Sequence, residues 1–317
     1  MGAGSLSLNI DALFVRIVAA MINRAGIIGS GSIALKHRSA LEELGLTVAL
    51  VTGRDVDGVN FKFLADALTQ FAPEYIVIAS PTARHLEDIK SVIAGGFKGF
   101  LLIEKPLLGN PSPVPPISNI CAVGYQLRFH PALRALNESL NGRKILSCHA
   151  YCGQYLPTWR PARDYRGSYS ASRAEGGGVV RDLSHELDYL CWLFGSIEKI
   201  QALVGKYSSL EIDTEDTAGI LLRFSKCPVT TLQLNYTDRL SRRELTVVTD
   251  DDTFICDLKS NSLVSQSRGS ERFSTSGPEL LKAMHLDVLT NDARNCCSVL
   301  DGLVVVRAVA DIENAGY

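Results

Sequence analysis

Apolar residues in the first third of the chain fall into short continuous runs. Ala25 to Ile28, Thr47–Val51, Tyr75–Ala79 and Phe100–Ile103 each read as a strand, and the continuous Tyr75–Ala79 run has the pattern of a parallel strand buried on both faces. Helical spacing lies between them. Leu35, Leu41 and Leu44 mark a first helix stopped by Gly45, Phe61–Gln70 a second, and Leu86 to Ala94 a third before Gly95-Gly96. Four prolines between Leu107 and Ile120 forbid a regular helix there, and a last strand is expected near Cys121–Gly124. Strands alternating with helices predict an α/β half with a doubly wound parallel sheet. The pattern then changes. Lys144–Cys152, Ile197–Val204, Ala218–Phe224, Val229–Tyr236, Glu244–Val248 and Thr253–Leu258 are β-rich, with Asp250-Asp251-Asp252 as a corner. They predict an open, largely antiparallel sheet in an α+β domain. Helices are expected over His130–Leu140 and Arg181–Phe194, and a closing one over Ser298–Asp311. The polar, Ser-rich residues 259–277 are expected to form a mobile loop.

With 317 residues, the chain suggests about two domains, and the change of pattern divides it into 21–124 and 125–317. The last helix is free to pack back on the first domain. Residues 1–20 read as an added arm or a misplaced start. The apolar stretch 12–22 is interrupted by Arg16 and is too short to span a membrane, and Met1–Asp11 carries no positive charge, unlike a signal peptide. A net charge of −2 argues against a nucleic-acid partner. Eight cysteines without a C-x-x-C pair point to reduced thiols and the cytoplasm. Cys148, His149 and Cys152 match no zinc spacing, so no metal is expected.

The chemistry gathers at strand ends, where open α/β sheets bind ligands. Gly29, Ser30, Gly31, Ser32 and Ile33, then Ala34, form a G-x-G-x-x-A turn between strand and helix. Gly29 permits the tight turn, Gly31 lets a pyrophosphate approach, and Ala34 lets helix and strand pack closely. The helix N-terminus favours phosphate. Thr52 and Arg54 follow the second strand, where the adenosine ribose belongs. No Asp or Glu stands in their place, so NADP is favoured slightly over NAD, although Asp55 is adjacent. Ser80, Pro81, Thr82 and His85 follow the third strand, and Glu104 and Lys105 the fourth.

These segments occur in an order that resembles the Gfo/Idh/MocA family, the group of glucose–fructose oxidoreductase, inositol dehydrogenase and rhizopine catabolism. The likeness is carried by GSGSIALKH (29–37), ASPTARH (79–85), IEKPL (103–107), GYQLRFHP (124–131), GGGVVRDLSHELDYL (176–190) and CSVLDGLVVVRAV (297–309), and it covers residues 21–317. The resemblance implies a Rossmann domain followed by an open-sheet α/β domain, with the active site between them. It implies that Lys105 and His185 act on a substrate carbinol. A neutral His185 would take the hydroxyl proton, and the Lys105 ammonium would stabilise the oxygen. Many members place an aspartate four residues before the histidine. Here Arg181 holds that position and Asp182 stands three before, still on the same helical face, able to orient the imidazole or bind a substrate hydroxyl. The proline-rich 107–120 segment also departs from the family, which has a helix there. Tyr125, Arg128, Trp159, Tyr165 and Arg166 are candidates for substrate binding, with packing as the alternative for each. The expected function is hydride transfer between NADP or NAD and a sugar, cyclitol or related polyol, by a homodimer or homotetramer. The alternatives are a non-catalytic dinucleotide-binding sensor on the same scaffold and an enzyme that retains its cofactor through the cycle.

Overall fold

The computed structural model describes residues 22–160 and 164–315; the arm expected over 1–20 lies outside them. Six parallel strands form the first sheet: β1 (Arg24–Ile28), β2 (Thr47–Val51), β3 (Val59–Phe61), β4 (Tyr75–Ile78), β5 (Phe100–Ile103) and β6 (Cys121–Val123). Their order is β3-β2-β1-β4-β5-β6, so the direction of winding reverses between β1 and β4. This is the doubly wound dinucleotide-binding order, whose ligand crevice lies beyond the strand ends at that reversal. Ile27 pairs with Leu50 on one side and Val77 on the other, and all three are buried. Helix α1 (Ser32–Glu43) follows the glycine turn, and α2 (His85–Ala94) follows β4.

The second half begins with α3 (Pro131–Leu140) and β7 (Ile145–Gly153). Two helices come next, α4 (Val179–Asp182) and α5 (His185–Phe194). A run of strands follows: β8 (Ile197–Gly205), β9 (Thr217–Phe224), β10 (Thr230–Asn235), β11 (Arg242–Thr249), β12 (Thr253–Asp257), β13 (Ser262–Ser265) and β14 (Gly269–Arg272). Helices α6 (Gly277–Thr290) and α7 (Val299–Ala315) complete the described chain. The sheet order is β14-β13-β12-β11-β7-β10-β9-β8, antiparallel except where β10 runs parallel to β7. Helix α7 returns to the first domain at Gly302, where a Cβ would stand 2.9 Å from Val123 Cγ2.

Four expectations need correction. Residues 61–70 are not one helix: Phe61 ends β3, residues 64–66 make a short helical turn, and Ala67–Phe71 widen into a π turn. The helix expected over Arg181–Phe194 is broken between α4 and α5 at Leu183-Ser184. The Ser-rich segment 259–277 contains a hairpin, β13–β14, because Leu263 and Ser265 alternate inward. The Asp252 carboxylate also pins its turn through Gln266 N at 3.0 Å and the Ser267 hydroxyl. Helix α6 was not foreseen. Leu280, Met284 and Val288 recur every four residues on its buried side, but His285 and Asp287 interrupt the apolar signal. It packs on α1, so a helix from the second half completes the first domain.

Candidate functional site

Each site residue owes its place to a strand end. Gly29 leaves β1 at φ +122°, and a Cβ there would meet Ala79 O at 2.6 Å; only glycine fits against the end of β4. Gly31 faces open space, with nothing within 4 Å of a Cβ built on it. It is the N-cap of α1, and no side chain caps that helix. Intrahelical bonding starts with Leu35 N to Gly31 O, so the preceding N–H groups of the first turn point outward without helix partners. An uncapped helix start beside an open glycine is a phosphate cradle, which is the part of a dinucleotide this turn can hold.

Ser30 and Thr52 hydroxyls lie 2.9 Å apart and join the β1 and β2 ends. Thr52 Oγ1 also accepts from Arg54 N at 3.1 Å, and Thr52 N donates to Phe61 O at 2.8 Å. Lys62, one residue beyond Phe61, therefore lies alongside Thr52 and Arg54. After β4, the Ser80 hydroxyl donates to Asp88 at 2.5 Å. His85 is buried between two loops. Its Nδ1 faces Pro106 O (3.1 Å) and Leu107 O (3.2 Å), and its Nε2 faces Ser80 O (3.1 Å), so it clamps one strand-end loop to the next.

These ends open on a cleft of about 1180 Å³. Gly29, Ser30, Gly31, Ser32, Ile33, Thr52, Arg54, Ser80, Pro81, Thr82, His85, Glu104 and Lys105 line it from the first domain, and Asp182 and His185 from the second. Across the domain boundary, Lys105 Nζ donates to the Asp182 carbonyl at 3.0 Å. The Asp182 carboxylate takes the Tyr236 hydroxyl at 2.7 Å. It does not orient the histidine: the His185 Nδ1 is buried with no hydrogen-bond partner. The ring is instead held edge-on by Tyr125, at 5.4 Å between centroids. Burial, reinforced by the Lys105 and Arg243 charges, pulls the His185 imidazole well below its ordinary range, so it stays neutral at neutral pH.

None of the five residues expected to contact substrate lines the cleft. Tyr125 is buried behind His185, with its hydroxyl 3.4 Å from the Ser184 hydroxyl. Arg128 is buried and committed to Asp188, at 2.7 Å, with Asp301 at 3.2 Å. Trp159 stands edge-on to Tyr236 at 5.3 Å. The Tyr165 hydroxyl accepts from Glu211 N at 3.2 Å, and Arg166 pairs with Asp164 and Glu211 at the surface. Other side chains on the second domain's wall were missed: Gln126, Arg160, Tyr169, Glu175 and Arg181. Arg160 stacks on Tyr169, 6.0 Å from its ring centre. Tyr169 and Arg160 belong to the aromatic, Arg-rich stretch 154–169, which carried the right signal on neighbouring residues. Among the described residues no group of His, Cys, Asp and Glu could hold a metal ion.

Residues 135–255 match the family model described as the GFO/IDH/MocA C-terminal domain. A curated relative from Synechocystis sp., an uncharacterized oxidoreductase, is 25% identical over 179 residues, 54% of this chain and 46% of that protein. The match thus spans under half of the relative's length. Among solved structures, levoglucosan dehydrogenase in complex with NADH superposes with a TM-score of 0.76 at 14% identity, covering 93% of this chain and 96% of that one. UDP-N-acetylglucosamine 3-dehydrogenase from Acidithiobacillus ferrooxidans gives 0.73 at 18% identity, covering 92% and 97%. The WlbA dehydrogenase from Bordetella pertussis, in complex with NADH and UDP-GlcNAcA, gives 0.74 at 16% identity, covering 93% and 95%. These likenesses establish the fold across both halves.

Proposed function

We propose that this chain, whose residues 135–255 match the GFO/IDH/MocA C-terminal domain, is a nicotinamide-dependent oxidoreductase of that family acting on a carbinol or carbonyl carbon of a sugar, cyclitol or related polyol. The observation that carries the proposal is the meeting of Lys105 with the Asp182–His185 segment in the cleft that also holds the glycine turn. The dinucleotide-bound sugar dehydrogenases among the structural neighbours support it.

When bound, the nicotinamide supplies the hydride acceptor or donor. The chain supplies everything else. The turn Gly29–Ile33 and the open start of α1 hold the phosphates. The neutral His185 imidazole takes a proton from the substrate hydroxyl in the oxidative direction and returns it in the other. The Lys105 ammonium stabilises the negative charge that grows on that oxygen. Asp182 anchors the far wall through Tyr236 and, through its carbonyl, aims Lys105.

The cofactor we favour is NADP. Arg54 lines the adenosine end with Lys62 and Lys36, whereas Asp55 is not among the lining residues. Arg54→Ala is expected to weaken NADP(H) binding about tenfold, roughly 1.4 kcal/mol, and NAD(H) less than twofold. Titration calorimetry with both dinucleotides checks this; equal losses for the two would remove the preference.

We also propose a homodimer or homotetramer built on the second sheet. Leu146, Leu203, Leu221, Ile255 and Val264 remain exposed on its strands β7, β8, β9, β12 and β13. All eight cysteines are unpaired, which fits a reducing compartment such as the cytoplasm. No helix among the described residues is long and apolar enough to cross a membrane.

A further inference from the structure

Behind Lys105, four side chains from both halves of the molecule form one buried line. The Tyr75 hydroxyl is 2.8 Å from His285 Nδ1, His285 Nε2 is 2.8 Å from His37 Nδ1, and His37 Nε2 is 2.9 Å from Glu104 Oε1. Tyr75 comes from β4, His37 from α1, His285 from α6, and Glu104 follows β5. The first three are 0% exposed and Glu104 is 7% exposed. The second carboxylate oxygen, Oε2, accepts the Lys105 backbone N–H at 3.1 Å. Gly124 closes over the carboxylate, since a Cβ there would stand 2.7 Å from Oε1.

The donors and acceptors leave little choice of proton positions. A backbone N–H can only donate, so Oε2 accepts. If both rings are neutral, His37 donates from Nε2 to Oε1 and accepts at Nδ1. His285 then donates from Nε2, and Tyr75 donates to His285 Nδ1. Every polar atom in the line is satisfied and Glu104 is a carboxylate. One added proton allows two further arrangements: on Glu104 Oε1, which then donates to His37 Nε2 and turns both rings to Nδ1–H, or on His37. In the second, His37 donates at both nitrogens, His285 accepts at Nε2 and donates from Nδ1 to the Tyr75 oxygen, and Glu104 is again a carboxylate. Burial pushes the Glu104 carboxyl up, but the His37 hydrogen bond, the charge of a protonated His37 and the Lys105 charge outweigh it and hold it below the usual carboxylate range. The other titratable groups bearing on the line are Cys296 and Cys121, at Tyr75.

We propose that Tyr75, His285 and His37 act as a directional hydrogen-bond line that keeps Glu104 a carboxylate behind Lys105, and that Glu104 is the positioning residue for the Lys105 ammonium. This rests on the reading of Lys105 as the group that meets the substrate oxygen. The line ties three elements of the first domain to α6 of the second, so the same contacts that dock the two halves fix the backbone at Lys105. A buried polar network of this kind is stabilising only when every member is satisfied, as it is here.

The test uses the full-length protein labelled with nitrogen-15 in histidine, and Glu104→Gln. At pH 8, ring nitrogen resonances of His37 and His285 are expected to report Nε2–H tautomers in both. In E104Q the amide oxygen must take the Lys105 N–H, which turns the NH₂ group toward His37. Both rings are then expected to switch to Nδ1–H. Turnover of E104Q is expected to fall about tenfold or more with the dinucleotide Kd within about twofold. His37→Gln can still donate to Glu104 and accept from His285, and is expected to keep turnover within about threefold and His285 in its Nε2–H form. It serves as the test if E104Q does not fold. An Nδ1–H tautomer in the unsubstituted protein at pH 8, unchanged tautomers in E104Q, or full turnover in E104Q would overturn the proposal. A wild-type protein that turns over no sugar would instead remove the oxidoreductase reading, and the tautomers would still decide the line.

Discussion

Replacing Lys105 by alanine is expected to lower turnover about 10³-fold while the dinucleotide Kd stays within about threefold. Two physical features separate those effects. The grip on a dinucleotide comes from the Gly29–Ile33 turn, the free N–H groups of α1 and the Thr52–Arg54 loop. Lys105 contributes one cation at the opposite end, fixed by the Asp182 carbonyl at 3.0 Å and backed by the Glu104 carboxylate. A charge placed where an alkoxide develops acts on the transition state far more than on the ground state, so its loss appears in kcat. Initial rates followed at the nicotinamide absorbance, paired with calorimetric binding, check both halves of the statement. A Lys105→Ala variant retaining more than about a tenth of wild-type turnover would remove Lys105 from the chemistry.

Arg128→Ala is expected to cost about 3–5 kcal/mol of stability, because it strands Asp188, which is 0% exposed, without its partner. For a chain of this size that corresponds to a fall in melting temperature on the order of 10 °C. Asp188 and Asp301 both hold the Arg128 pKa above the ordinary guanidinium range against the opposing effect of burial. Arg128 also donates to the Cys296 carbonyl at 3.3 Å. It thus fastens the turn after β6 to α5 and to the start of α7. Thermal unfolding of the purified variant measures the effect. A variant that melts like wild type but shows a raised KM for sugar would restore Arg128 to substrate binding.

Arg128 also shows why the first domain was easier to read than the second. In the first domain, a ligand site sits at strand ends, and strand ends are visible as the boundary between an apolar run and a glycine or polar turn. Gly29–Ile33, Thr52, Ser80–Thr82 and Glu104-Lys105 could be located from those boundaries, and all line the cleft. The far wall is built from irregular chain between β7 and α4. There, sequence says that a Trp, Tyr or Arg is present but not which way it turns. Trp159 and Tyr165 turn toward packing partners, whereas Arg160 and Tyr169, a few residues away, turn toward the cleft.

The other misreadings have a common physical origin. Helix α6 buries His285 and Asp287 among its leucines; Asp287 is satisfied by Asn291 and Asn295 at and beyond the helix end, but His285 only by groups far away in sequence, His37 and Tyr75. Local hydrophobic period carries no trace of such partners. Likewise, the serines of 259–277 look like a solvated loop until Asp252 is brought beside their turn. The role expected for Asp182 moved for the same reason, since its carboxylate is taken by Tyr236, 54 positions away in the chain.

The central claim is hydride transfer, and tracking the hydride itself tests it most directly. The protein is incubated with reduced dinucleotide carrying deuterium at the transferable C4 position, together with a panel of keto-sugars that includes uronic and nucleotide-linked forms. Mass spectrometry then reads the sugar products. The expected result is deuterium on a newly formed carbinol carbon with the wild-type protein, and none above background with Lys105→Ala. Tight binding of the dinucleotide with no deuterium in any sugar would contradict hydride transfer and leave a dinucleotide sensor in its place.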